Sequence, residues 1–151
     1  MAQNKMVVTE CAIGTQKMVA EATRDALVLN RHSSPRNNAI DQLRAVAGLC
    51  NAGQFDAATM RLPLHERVIH GDATDQAILR FSESLGPVDE LKRLWQTKYE
   101  LAFNSKNKYM IRVLGLAHPD GLDLALPEDA AAAFQPGDMC VLQITTQRQQ
   151  R

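Results

Sequence analysis

The segment from Tyr99 to Leu114 constrains the fold more than any other part of the chain. Tyr99, Leu101 and Phe103 alternate with Glu100 and Ala102, the period-two pattern of a half-buried strand. Asn104-Ser105-Lys106-Asn107 then turns the chain, and Lys108 to Leu114 resumes an extended pattern that Gly115 ends. This predicts an antiparallel hairpin with a four-residue loop. Two further stretches read as strands. Met6 to Ile13 is mostly β-branched or apolar and stops at Gly14. Met139 to Ile144 is an apolar run entered through the turn Phe134-Gln135-Pro136-Gly137-Asp138.

The middle of the chain changes period. Ile40, Leu43, Ala47 and Cys50 recur at three- and four-residue steps and stop at Asn51-Ala52-Gly53, a helix with a C-terminal stop signal. A second helix starts at Asp72 or Thr74, carries Ala77, Ile78, Phe81 and Leu85 on one face, and ends at Gly86-Pro87. Val88, Leu91, Leu94 and Trp95 form a third apolar stripe, and Pro127 to Ala133 a short helix. Gln16 to Leu29 fits either a returning strand or a helix. Asn30 to Asn38 reads as a surface loop, Gln54 to Gly71 as a long connection, and His118-Pro119-Asp120-Gly121 as a turn. Strand-rich ends around a helical middle define an α+β fold, an antiparallel sheet flanked by helices. One domain is expected over residues 1–144, with 145–151 a polar, disordered tail.

Composition excludes several classes. The 151 residues carry 17 Lys+Arg against 17 Asp+Glu, so bulk charge gives no basis for nucleic-acid binding or for a polybasic membrane-surface protein. No apolar run is long enough to span a bilayer, the N-terminus has no signal-peptide core, and three widely spaced cysteines make no disulfide framework. The expected compartment is the reducing cytosol. Phosphate-loop, dinucleotide, nucleophile-elbow and zinc-protease motifs are all missing. His65 and His70 are five residues apart and do not share a helix face, and Cys11, Cys50 and Cys140 lack ligand spacing, which argues against a metal site.

Two local groupings carry chemistry. A four-residue loop would set Phe103 and Lys108 opposite each other on one side of the hairpin, an aromatic plate beside a cation. Such a pair can stack a base and meet a phosphate or ribose. Taken alone, Phe103 reads better as a core aromatic and Lys108 as its solvated neighbour, because strand aromatics mostly pack. In Gly71-Asp72-Ala73-Thr74-Asp75-Gln76-Ala77, Asp72 caps a helix and Asp75 sits in its first turn, where acidic residues are routine. A carboxylate there can also accept a hydrogen bond from a ligand amino group.

Four segments occur in order: Gln3-Asn4-Lys5-Met6, Ala47-Gly48-Leu49-Cys50-Asn51, Gly71 to Ala77, and Phe103-Asn104-Ser105-Lys106-Asn107-Lys108-Tyr109. Together they resemble the nucleotide-binding (N) domain of P-type cation-transporting ATPases, in the sodium/potassium- and proton/potassium-pump branch, from Gln3 to about Ile144. The resemblance implies ATP or ADP as ligand, with Mg only as the counter-ion of ATP and no protein metal site. It implies that Phe103 stacks on adenine, that Lys108 lines the same pocket, and that Asp75 stands where these pumps usually place a glutamate meeting the adenine edge. The shorter Asp75 leaves that contact about one methylene short, a gap a water can bridge.

The sequence departs from the family in two ways. No Asp is followed by Lys, so the phosphorylated-aspartate motif is absent, and no residue here is assigned a catalytic role. After Ile144 the family's Lys-Gly-Ala-Pro strand is replaced by Thr145-Thr146-Gln147-Arg148. The chain therefore reads as an N domain truncated at both ends, binding nucleotide no tighter than roughly millimolar and not turning over ATP alone. Its partners would be ATP or ADP and the phosphorylation domain of a parent pump, on the cytoplasmic side of a membrane it does not itself span. The alternative is an interaction or regulatory fragment that has lost nucleotide binding.

Overall fold

The computed structural model describes residues 5–33 and 38–146. A short hairpin, β1 (Glu10–Ile13) and β2 (Gln16–Val19), leads directly into α1 (Ala20–Ser33), then α2 (Ala39–Leu49). Two-residue strands β3 (Gln54–Phe55) and β4 (Ile69–His70) pair antiparallel around two 3-10 turns at Ala57–Thr59 and Leu64–Glu66. Next come α3 (Ala73–Leu85), α4 (Val88–Leu94), β5 (Trp95–Leu101), β6 (Tyr109–Leu116), α5 (Asp120–Ala125), α6 (Glu128–Ala133) and β7 (Met139–Thr145). Strands β5, β6 and β7 form an antiparallel sheet in that order. This is the α+β arrangement of an antiparallel sheet with helices packed on it.

Local chemistry sets the helix ends. The Asn38 side chain accepts the Ile40 N–H at 2.8 Å and starts α2, and the Asp72 carboxylate accepts the Asp75 N–H at 2.8 Å and starts α3. Gly71 precedes that cap at φ 143°, a conformation side chains resist, and a Cβ there would lie 3.1 Å from the Gly53 backbone. In α4, Asp89 and Glu90 occupy the first turn and Lys92 and Arg93 the last, each sign matched to the helix dipole.

Helix α2 is the keel of the molecule. One side meets the sheet, where Leu49 and Cys50 join Leu94, Trp95, Met110, Leu114, Cys140 and Leu142 in one core cluster. Another side meets α1 and α3, where Ile40 and Ala47 pack with Leu27, Phe81 and Leu85. The α2–α3 approach is close because position 48 is glycine: a Cβ there would sit 2.6 Å from Ser82 Oγ, which donates to Arg44 O at 2.9 Å. Arg44 itself is buried, reaching Pro87 O at 2.9 Å and the Glu90 carboxylate at 3.4 Å, with Asp41 3.9 Å away.

Several sequence expectations are corrected. Of Met6 to Ile13 only Glu10–Ile13 is strand, because the partner β2 has four residues and the chain then turns into α1. Gln16 to Leu29 contains both alternatives in succession. The loop expected at Asn30 to Asn38 is helical through Ser33, and its residues 34–37 lie outside the described residues. Trp95 ends no helical stripe. It opens β5 with extended angles, buried, donating Nε1–H to Gly121 O at 3.0 Å and meeting Phe134 edge-on at 5.9 Å. The turn at His118 runs on into α5. Strand β7 includes Thr145, and residues 147–151 of the expected tail lie outside the described residues.

The hairpin loop also differs. Leu101 pairs with Ile111, so continuing the register sets Phe103 opposite Tyr109, not Lys108. Asn104 causes the difference. Its side chain accepts the Asn107 N–H at 2.7 Å and its carbonyl accepts the Lys108 N–H at 2.8 Å, closing a wider loop with Lys108 inside it at φ 59°.

Candidate functional site

A cleft of about 230 Å3 opens between the first turns of α3 and the loop end of the sheet. Asp72, Thr74, Asp75 and Ile78 form one wall, and Phe103, Met110, Ile144 and Thr146 the other. Helix geometry explains the first wall: Asp75 and Ile78, three apart, share a face, while Thr74 falls at the rim. The sheet explains the second, since Met110 pairs with Ile144 on neighbouring strands and both point the same way. Phe103 is 43% exposed at the loop entrance, an unusual position for a phenyl ring with only packing to do.

Two of the three residues singled out from the sequence, Asp75 and Phe103, thus line the same cleft. Lys108 does not. It lies exposed in the loop, where its carbonyl accepts the Thr146 N–H at 3.0 Å and so ties the end of β7 to the hairpin mouth.

Burial pushes the Asp75 carboxyl above the usual aspartate range, and the neighbouring Asp72 charge adds to the effect. A backbone hydrogen bond from Ala52 and the charge of Arg112 oppose it. The cleft therefore combines an apolar floor, an exposed aromatic face, a partly desolvated carboxylate and two threonine hydroxyls. That set can hold a flat heterocycle by stacking and accept a hydrogen bond from an amino group on its edge. Its volume is below the ~300 Å3 at which pockets for drug-sized ligands begin, so it fits a base rather than a whole nucleotide. Among the described residues no group of three metal-ligating side chains occurs.

Two residues not expected at the site hold the walls together. Asn51 Nδ2 donates to the Asp75 carbonyl at 3.0 Å, its Oδ1 accepts the Gly53 N–H at 2.7 Å, and its own carbonyl accepts from Arg112 Nη2 at 3.1 Å. Arg112, on β6, also meets the Glu100 carboxylate at 2.8 Å, and its buried Nε has no hydrogen-bond partner among the described residues. The signal for Arg112 was a charged residue between the apolar Ile111 and Val113, at a position whose cross-strand neighbour is Leu142.

Helix α3 and the antiparallel sheet thus enclose one base-sized cleft. The chain belongs to the P-type ATPase N-domain family: residues 39–123, more than half of its length, match the family described as P-type ATPase, cytoplasmic domain N. It is 32% identical over 114 residues to potassium-transporting ATPase alpha chain 2 of Oryctolagus cuniculus, covering 75% of this chain and 10% of that protein. The Homo sapiens potassium-transporting ATPase alpha chain 2 is 30% identical over 129 residues, covering 80% and 12%. The Rattus norvegicus sodium/potassium-transporting ATPase subunit alpha-4 is 32% identical over 115 residues, covering 75% and 11%. The chain thus spans about a tenth of the length of these relatives. Among the described residues no helix is long and apolar enough to cross a membrane.

Proposed function

We propose that this chain binds ATP or ADP through the adenine ring, in the cleft between α3 and the β5–β6 hairpin. Phe103 stacks on the ring, Asp75 accepts from its exocyclic amine directly or through a water, and Met110 and Ile144 form the apolar floor. The observation that carries this reading is that Phe103 and Asp75, from separate elements, line one cleft of base size. Lys108, standing in the loop outside the lining, meets ribose or phosphate, and the triphosphate with its Mg extends into solvent.

Phosphoryl transfer needs an in-line acceptor and a metal clamp, which this family supplies from a separate phosphorylation domain. The chain's part is to hold the nucleotide, on the cytoplasmic side of a cation pump of the potassium- or sodium/potassium-transporting kind. A single ring stack with one hydrogen bond supports affinity near millimolar, about −4 kcal/mol.

The test is an amide NMR titration with ATP and, separately, GTP. Shifts confined to α3's first turns and residues 103–110, stronger for ATP than for GTP, are expected, because guanine presents a carbonyl where adenine presents an amine. A folded chain that ignores both nucleotides would sink this reading and favour the interaction fragment.

A further inference from the structure

A second cavity, about 420 Å3, lies beside α3, between α1, α3, the 3-10 turn at Leu64 and the segment Met6 to Val8. Its lining is mainly apolar. Met6 and Val7 are 50% and 61% exposed and both face this space as lining residues, although each would ordinarily seek cover. The segment that carries them is fastened across the cavity: Lys5 Nζ donates to His65 O at 2.6 Å, and Thr74 Oγ1 approaches Met6 Sδ at 3.9 Å. Leu64 and Phe81 complete the apolar walls.

Charge is placed unevenly around this space. Arg24 of α1 and Arg80 of α3 both line it, against the single carboxylate of Glu21. Arg80 spends its Nη1 on the carbonyls of Leu64 and Arg67, which satisfies hydrogen bonding without neutralising charge. The adjacent guanidinium of Arg67 is matched by Glu83 at 3.2 Å, so that carboxylate is already engaged. Desolvation and the like charge of Arg67 accordingly press the Arg80 guanidinium below its usual value. Arg24 forms no ion pair with any described residue.

We propose that this cavity is a binding site for an apolar carboxylate, its acid group held between Arg24 and Arg80 and its hydrocarbon part covering Met6, Val7 and Phe81. The volume lies within the range of small-molecule pockets, and the pairing of apolar walls with a few convergent charges is the usual composition of such sites. A carboxylate matches a guanidinium fork geometrically, which a neutral headgroup does not.

The probe is dodecanoate, titrated below its micelle concentration into the full chain and followed by amide NMR. Dodecanol and dodecyltrimethylammonium serve as neutral and cationic controls of equal chain length. Saturable shifts around Met6 to Val8, α1 and Phe81 are expected with dodecanoate, at least tenfold weaker binding for dodecanol, and none for the cation. Arg24→Gln, at an exposed position with no ion pair among the described residues, should keep the melting temperature and weaken dodecanoate at least tenfold. Equal affinity for dodecanol, an unchanged affinity in Arg24→Gln, or shifts that fall on the β5–β7 sheet would each overturn the proposal.

Discussion

Replacing Phe103 by alanine separates a ligand contact from a structural one. The ring is 43% exposed at the cleft mouth and belongs to none of the buried core clusters, so its loss leaves little cavity behind. What it removes is one face of a base stack, about 1–3 kcal/mol, or a roughly 5- to 150-fold weakening of nucleotide binding. From a millimolar starting point the variant would fail to saturate at any practical ATP concentration. Phe81 is the control. It is 8% exposed among Leu27, Ile40 and Leu85, and a Phe→Ala change there costs about 3–5 kcal/mol of stability. In a chain of this size that lowers the melting temperature by roughly 6–20 °C. ATP-dependent amide shifts and thermal melts on both variants decide the matter. Phe103→Ala should melt like the parent and lose the shifts, while Phe103→Tyr keeps them. If Phe103→Ala bound ATP unchanged, or unfolded as Phe81→Ala does, the stacking argument would fail.

Three further outcomes follow from the same geometry. Arg112→Met removes a charge-assisted bond to the Asn51 carbonyl and the pair with Glu100, and should cost about 1.5–3 kcal/mol in a denaturant titration. Gly48→Ala should destabilise by about 1–3 kcal/mol through the Ser82 clash, and adding Ser82→Ala should recover part of that loss, a non-additivity a double-mutant cycle reads directly. Asp75 gives a pH signature. Its folded carboxyl holds the proton more tightly than the unfolded one, so its favourable contribution is complete below the usual aspartate value and falls away as pH rises through the raised folded value. Stability curves across that window should be flatter in Asp75→Asn; an equally steep wild-type and variant curve would show the carboxyl to be unperturbed.

The helical middle was legible because period and caps agree. Ile40, Leu43 and Ala47 share one face while Cys50, the cap, turns to the sheet, Asp72 caps α3 as its spacing implied, and Gly86-Pro87 ends it. Met139 to Ile144 was legible because a strand buried on one face alternates, with Cys140 and Leu142 inside and Val141 outside. Trp95 misled because helix and strand meet there without a turn, and an apolar residue after Leu94 continues a helical stripe as well as it opens a strand. The loop misled for a different reason. Counting residues between alternating positions gave four, but the Asn104 side chain and carbonyl close a wider loop, and that choice rests on hydrogen bonds a periodicity does not encode. Of the site, Asp75 and Phe103 were readable as motif residues, while the cleft between them was not.

That cleft depends on a contact no motif announces. Its walls belong to α3 and to the sheet, and the two are joined at Asn51, directly after α2 ends at Leu49 and Cys50. Asn51 grips α3 through the Asp75 carbonyl and receives β6 through Arg112. The bond to Asp75 uses the backbone carbonyl and so does not engage the carboxylate that lines the cleft, and Arg112 delivers its charge close enough to Asp75 to limit the effect of burial on it. The cleft's walls are therefore braced by the same pair of residues, one of which, Arg112, also tempers the ionisation of Asp75. An Asn51→Ala variant should loosen both together, lowering stability and shifting the pH window of Asp75, whereas a change at Thr74 on the rim should do neither. Independent movement of the two properties in Asn51→Ala would mean that the walls are positioned by core packing alone.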